Sequence, residues 1–127
     1  MFEKLALVRM AQAMAAHAGA RQAEISRNVS NADTPGFKAR DLAPFAEVYE
    51  TAPDGLRHTR PGHMLPEAAN GAEPVLRRQN GAASPNGNTV SLETELVKAV
   101  DVGQQHEMAL GIYRSASTIL RASLGRR

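Results

Sequence analysis

Cysteine and tryptophan are absent from this 127-residue chain, and its aromatics number three Phe and two Tyr. Without thiols there are no disulfides and no thiolate metal sites, which suits an oxidising compartment reached without dependence on a bridge. With so few aromatics a conventional globule with a large core is the weaker expectation, although the length fits one domain. Neither charge sign dominates: 15 Lys and Arg stand against 13 Asp and Glu, a net charge of +2, and the basic residues are scattered. That pattern is a poor basis for nucleic-acid binding. Long hydrophobic runs are missing too, and none approaches the roughly 18 apolar residues of a transmembrane helix. The opening "MFEKLALVRMAQAMAAHA" has a lysine, an apolar stretch and small residues, but Glu3 and Arg9 interrupt it. A cleaved signal peptide is therefore not expected, and export would follow another route.

What is present falls into three zones: residues 1–51, expected as an N-terminal helix, a turn motif and an extended segment; 52–88, a Pro/Gly-rich flexible middle; and 89–127, a C-terminal helix. From Phe2 to about Val29 alanine dominates, with no proline and one glycine, Gly19, which predicts a long helix. Val8, Ala11, Ala15, Ala18, Gln22, Ile25 and Val29 recur at spacings of three and four. This stripe of mostly small residues lets a partner helix approach closely while burying little apolar area. From Ser91 to about Leu124 a second helix is predicted, with Ser91 as N-cap and Glu93 and Glu95 in the dipole-favoured first turn. Leu92, Leu96, Ala99, Gly103, His106, Leu110, Tyr113, Ser117, Leu120 and Leu124 form its main stripe. Val97, Val100, Gln104, Met108, Ile112, Ser115 and Ile119 run beside it. Two flanking stripes imply contact with more than one partner surface. Gly125, Arg126 and Arg127 end the helix.

Between the helices, residues 52–88 hold five of the seven prolines and five of the ten glycines. The expectation there is loop, short hairpin elements or disorder, with "PNGN" turning the chain into the last helix. The fold class is mainly α: elongated terminal helices pairing as a coiled-coil-like hairpin around an irregular or small β-containing middle. Each helix would span roughly 40 to 50 Å, longer than a compact domain of this size is wide. Closing the middle costs chain entropy, and small side chains recover it narrowly, so neighbouring subunits are expected to complete the packing.

The first helix leads into "NVSNADTPGFKARD". Thr34-Pro35-Gly36-Phe37 fits a type II turn, with Pro35 fixing φ and Gly36 supplying the positive φ. Asn28, Asn31 and Asp33 can satisfy backbone groups left open at the helix end. On physics alone this reads as a helix stop; the functional alternative is a rigid exit that aims Phe37 at an adjacent subunit.

The histidine pair His58 and His63 lacks a completing ligand, so no metal is expected, and His106 reads as a packing residue within its stripe. No Ser-His-Asp set or phosphate-cradling loop stands out, and neither an enzyme nor a cofactor is expected. The rival readings are a small basic helical nucleic-acid-binding protein, through "RHTR" and "LRRQNG", and a membrane-surface protein, through the first helix. Against the first stand the shortness of those segments and their lack of aromatics. Against the second stand an alanine-rich face and the missing tryptophan.

The Asn-x-x-Asn-x-x-Thr-Pro-Gly run followed by an aromatic, placed after an amphipathic helix, resembles the N-terminal motif of the axial proteins of the bacterial flagellum. With "GNTVSLETE" before the last helix and the short length, the chain is most similar to the proximal rod proteins of the basal body. Phe37 stands where that family often has tyrosine, and Ser30 where alanine is common. The resemblance implies a non-enzymatic rod subunit, exported uncleaved by the flagellar type III apparatus into the periplasmic part of the basal body. Its implied partners are other copies of itself, other rod proteins and the nearby membrane-ring and export-gate components, with no nucleic acid and no small-molecule substrate. The expected assembly interface is Val8, Ala11, Ala15, Ala18, Ile25 and Val29 on the first helix with Leu92, Leu96, Ala99, Leu110, Tyr113, Leu120 and Leu124 on the last. The resemblance also turns the 34–37 motif from a stop into a functional exit.

Overall fold

A computed structural model describes residues 2–51 and 75–125 of the chain. Two long helices frame it: α1, Phe2–Ser30, and α3, Leu92–Ser123. At 1.5 Å per residue they are about 44 and 48 Å long. They run antiparallel, since Asn28 near the end of α1 bonds Glu95 near the start of α3, while Ala11 and Ala109 share one groove at the other end. The predicted start of α3 holds: the Ser91 hydroxyl accepts from the Thr94 amide at 3.5 Å, and Glu93 and Glu95 occupy the first turn. Gly125 follows the helix with φ 83°.

The seam between the helices differs from the expected one. On α1 it uses Ala11, Ala18 and Ile25, all from the predicted stripe and seven residues apart. On α3 it uses Glu95, Val102, Ala109 and Ala116, again seven apart and outside both predicted stripes. An interval of seven is the coiled-coil repeat, and small residues at it let the axes draw close. Ala18 and Ile25 pack with Val102, and farther along Ala11 and Ala109 share a groove, where leucine would push the helices apart. The leucines are left outside, Leu92 at 50%, Leu96 at 64% and Leu124 at 74% exposure. His106, expected to pack, is exposed on α3.

A short arm covers one side of the pair. Strand β1, Arg40–Leu42, pairs antiparallel with β2, Leu76–Arg78, in the register Arg40 with Arg78 and Leu42 with Leu76. Helix α2, Phe45–Thr51, follows β1 where an extended segment was expected. Pro44 suits a helix start, and its carbonyl accepts from the Val48 amide at 3.2 Å. Phe45 stacks obliquely between His17 and Tyr49, with centroids 5.6 and 5.4 Å away. The buried His17 points Nε2 at the Ala43 carbonyl, 2.8 Å away, so Nε2 carries the proton. Arg77 and Glu47 pair across the arm's exposed side. His58, His63 and the "RHTR" segment lie outside the described residues.

Candidate functional site: the clasped turn

The motif after α1 forms the turn its sequence predicts. The Phe37 amide donates to the Thr34 carbonyl at 3.3 Å, and Gly36 has φ 72°, as the third position of a type II turn requires. Thr34 Oγ1 donates to Asn31 Oδ1 at 3.2 Å, and Asn31 Nδ2 returns to the Arg27 carbonyl at 2.8 Å, closing the open end of the helix as expected. Asp33 and Pro35 are exposed, and Phe37 is half-buried.

The loop before α3 grips this turn, a role its sequence did not announce. Gly36 N–H donates to the Asn86 carbonyl at 2.9 Å, and Thr89 N–H to the Phe37 carbonyl at 3.0 Å. Gly87, at φ 84°, lies so close that a Cβ on it would stand 3.5 Å from Gly36 Cα. Asn88 is the centre of the grip, 2% exposed. Its Nδ2 reaches the carbonyls of Asn31, Ala32 and Thr34 at 2.9, 2.7 and 2.9 Å, and its Oδ1 accepts from the Val90 amide at 2.8 Å. One amide thus gathers three helix-end carbonyls and starts the approach to α3, with its two hydrogens shared among three acceptors. Lys38 Nζ adds a bond to the Gly87 carbonyl at 2.8 Å. Residue 88 was expected to close a flexible zone; it is instead part of the turn's own structure.

A second polar cluster lies one layer deeper. Asn28 was expected to close the end of its own helix. It is fully buried and pairs instead with the Arg40 backbone, Nδ2 donating to its carbonyl at 2.6 Å and Oδ1 accepting from its amide at 3.2 Å. The side chain thereby acts as a substitute strand for β1. Its Nδ2 also donates to Glu95 Oε2 at 3.1 Å, and Lys98 Nζ reaches Glu95 Oε1 at 3.0 Å. Lys98 stands 3.7 Å from Asp41, which takes both a 2.9 and a 3.0 Å bond from the Arg21 guanidinium. Burial alone would raise the Asp41 carboxyl; the Arg21 bonds and charge, the Leu42 amide and the Lys98 charge outweigh it and hold it below the usual range. Arg21 is raised in turn, chiefly by its bond to Asp41. Two cations and two carboxylates neutralise one another here, which is the condition for keeping them out of water.

These two clusters fix the angle between α1, the arm and α3. The side chains of both clusters are bonded to other parts of the chain. Among the described residues no group of three or more His, Asp or Glu is placed to hold a metal, and no helix is long and apolar enough to cross a membrane. Of the expected assembly positions, Ala11, Ala18 and Ile25 are consumed inside the chain, because α3 itself covers them. Val8, Ala15, Ala99, Leu110 and Leu120 are half-buried, whereas Val29, Leu92, Leu96, Tyr113 and Leu124 stay exposed. Ala11, Gln12, Ala15, Ala109, Leu110 and Tyr113 line a shallow groove of about 160 Å³.

No protein-family model matches the chain. Curated proteins do, all across most of their length. The chain is 26% identical over 120 residues to the flagellar basal body rod protein FlgB of Agrobacterium fabrum, covering 89% of this chain and 88% of that one. It is 30% identical over 104 residues to FlgB of Salmonella typhimurium, covering 75% of each. With FlgB of Aeromonas hydrophila it shares 32% identity over 114 residues and 83% of each chain. At 30 and 32% identity over three quarters or more of both chains, the likeness is that of relatives, and the chain belongs to the family of the flagellar basal body rod protein FlgB.

Proposed function

We propose that this chain is a non-enzymatic structural subunit of the proximal rod of the bacterial flagellar basal body. In that role it polymerises through its terminal helices with copies of itself and with other rod proteins. Close to the membrane-ring and export-gate components, it helps connect the ring to the distal rod and transmit torque. Export proceeds through the type III apparatus without cleavage, and the site of residence is the periplasmic rod.

The observation that carries the reading, beside the family, is the pair of helices with its packing unfinished. Leu96, Val97 and Val100 are 64, 63 and 62% exposed along one side of α3, and Leu124 is 74% exposed at its end. Large apolar side chains left in water along a helix mark a contact surface. A rigid clasp suits torque, because a hinge between the helices would absorb twist. Val8, Ala15, Val29, Leu92, Leu96, Ala99, Leu110, Tyr113, Leu120 and Leu124 are the assembly positions that remain available.

Deleting the gene should abolish basal-body rods and motility, and supplying the chain should restore both. A deletion strain that still builds complete rods overturns the reading. Leu124→Asp leaves the fold untouched, since its side chain meets water, yet would place a carboxylate in a subunit contact and lower rod yield at equal protein level.

A further inference from the structure

Glycine inside a helix costs about four- to five-fold in the folding equilibrium relative to alanine. Gly19 in α1 and Gly103 and Gly111 in α3 nevertheless sit in helix interiors. None of them has positive φ, and a methyl on any of the three would meet nothing within 4 Å. Neither backbone conformation nor packing inside the chain therefore requires glycine at these positions. All three are exposed on the sides of their helices that face away from the seam.

The two outer faces differ in a complementary way. On α3 the large side chains Leu96, Val97 and Val100 stand out beside Gly103. The exposed carboxylates on that half of the helix are Glu93, Asp101 and Glu107, while Lys98 is turned inward to Glu95 and Asp41. On α1 the outer face is low: Ala16, Gly19, Ala23 and Ser26 follow one another at helical spacing. The charges beside that row are Arg9 and Arg27, both basic and exposed. At 1.5 Å per residue Arg9 and Arg27 lie about 27 Å apart, and Glu93 and Glu107 about 21 Å, a difference that flexible arginine side chains span.

We propose that the outer face of α3 docks on the outer face of α1 of a second copy of this chain, with Gly19 and Gly103 at the points of closest approach. Knobs meet a shallow trough, and the acidic flank meets the basic one. Exposed charge pairs contribute little holding energy, but they select register and reject the like-charged face. Because each copy uses one face to give and the other to receive, the contact is heterologous, and copies add in an open series. This rests on the rod-subunit reading and names the faces that reading leaves open.

The full chain contains no cysteine, so introduced thiols report proximity without background. Mixing an Ala23→Cys variant with a Val100→Cys variant under mild oxidation should give the mixed dimer several-fold over either homodimer. Val100→Cys homodimers as the main product would mean that α3 meets α3, and they overturn the proposal. So does a wild-type chain that sediments as a monomer at every concentration. Gly19→Ala and Gly103→Ala should each raise the folded-to-unfolded ratio about four- to five-fold while weakening self-association ten-fold or more. A gain in both overturns it, because a merely intramolecular role predicts that. Reversing either face, by Glu93→Arg with Glu107→Arg or by Arg9→Glu with Arg27→Glu, should block association, and both reversals in one chain should restore it. Failure of these tests in a chain that still complements the deletion removes this interface alone; failure to complement removes the rod reading beneath it.

Discussion

Gly36 and Asn88 meet at the clasp, and each rests on a property that few residues have. Gly36 needs positive φ, which costs a β-branched residue on the order of 1 to 2 kcal/mol. Gly36→Val should therefore distort the turn, shift Phe37 and reduce rod formation, whereas Gly36→Asn should be mild, because asparagine tolerates left-handed geometry. Basal-body yield of the two variants at matched protein level compares them directly; equal, near-normal yields would reduce the turn to a helix stop. Asn88 is needed for its donors. Asn88→Ala takes a donor from three part-buried carbonyls, of which those of Asn31 and Thr34 keep the Thr34 and Phe37 amides while that of Ala32 loses its partner, and should cost about 1 to 3 kcal/mol in chemical unfolding. Asn88→Asp should be worse, since a carboxylate would face those carbonyl oxygens. The turn was legible in the sequence because Pro35 and Gly36 fix it within four residues. Asn88 was not, because "PNGN" specifies its own bend and says nothing of which carbonyls, more than fifty residues away in sequence, its side chain will gather.

Among the elements, the arm depends on Asp41, which accepts from Arg21 on α1, faces Lys98 on α3 at 3.7 Å and takes a 3.4 Å bond from Gln79 beyond β2. Its carboxyl is held below the ordinary range, so the folded state prefers it ionised. That contribution is whole above the unfolded pKa of about 3.9 and is lost as pH falls further through the lower folded value. Acid should therefore loosen the arm from the helices. Thermal midpoints of wild type and Asp41→Asn should differ at neutral pH and converge toward pH 3; a constant gap would show that Asp41 does not carry the effect. Both long helices, with the Ser91 cap and the Gly125 stop, were legible because composition and capping are local signals. The partner face of α3 was not. Apolar periodicity pointed to the stripes of Leu96 and Val97, whereas the seam chose Val102, Ala109, Ala116 and the polar Glu95, which reads as a surface residue until Asn28 and Lys98 are placed around it.

Across the whole molecule, stability is unevenly spread. Of the ten buried apolar residues among those described, six are alanine, each contributing about one methyl, or ~0.8 kcal/mol. Hydrophobic burial is thin, and the polar clusters that fix the geometry all lie at the end where α1 stops and α3 starts. At the opposite end Leu5, Leu7, Ile119 and Leu124 are 45, 39, 50 and 74% exposed, with Ala11 and Ala116 the last buried residues before them. Helical segments without a packed face are marginal in water, because propagation gains little once tertiary contacts cease. Amide exchange in the isolated chain should thus be slowest around Ile25, Asn28 and Val102 and fastest over residues 3–9 and 118–124. Incorporation into a rod should then protect those fast ends, since neighbouring copies supply the surface their leucines lack, and a rise in helical circular dichroism should accompany it. Uniform protection along both helices of the free chain would show that the hairpin completes itself, and the apolar ends would then need no partner.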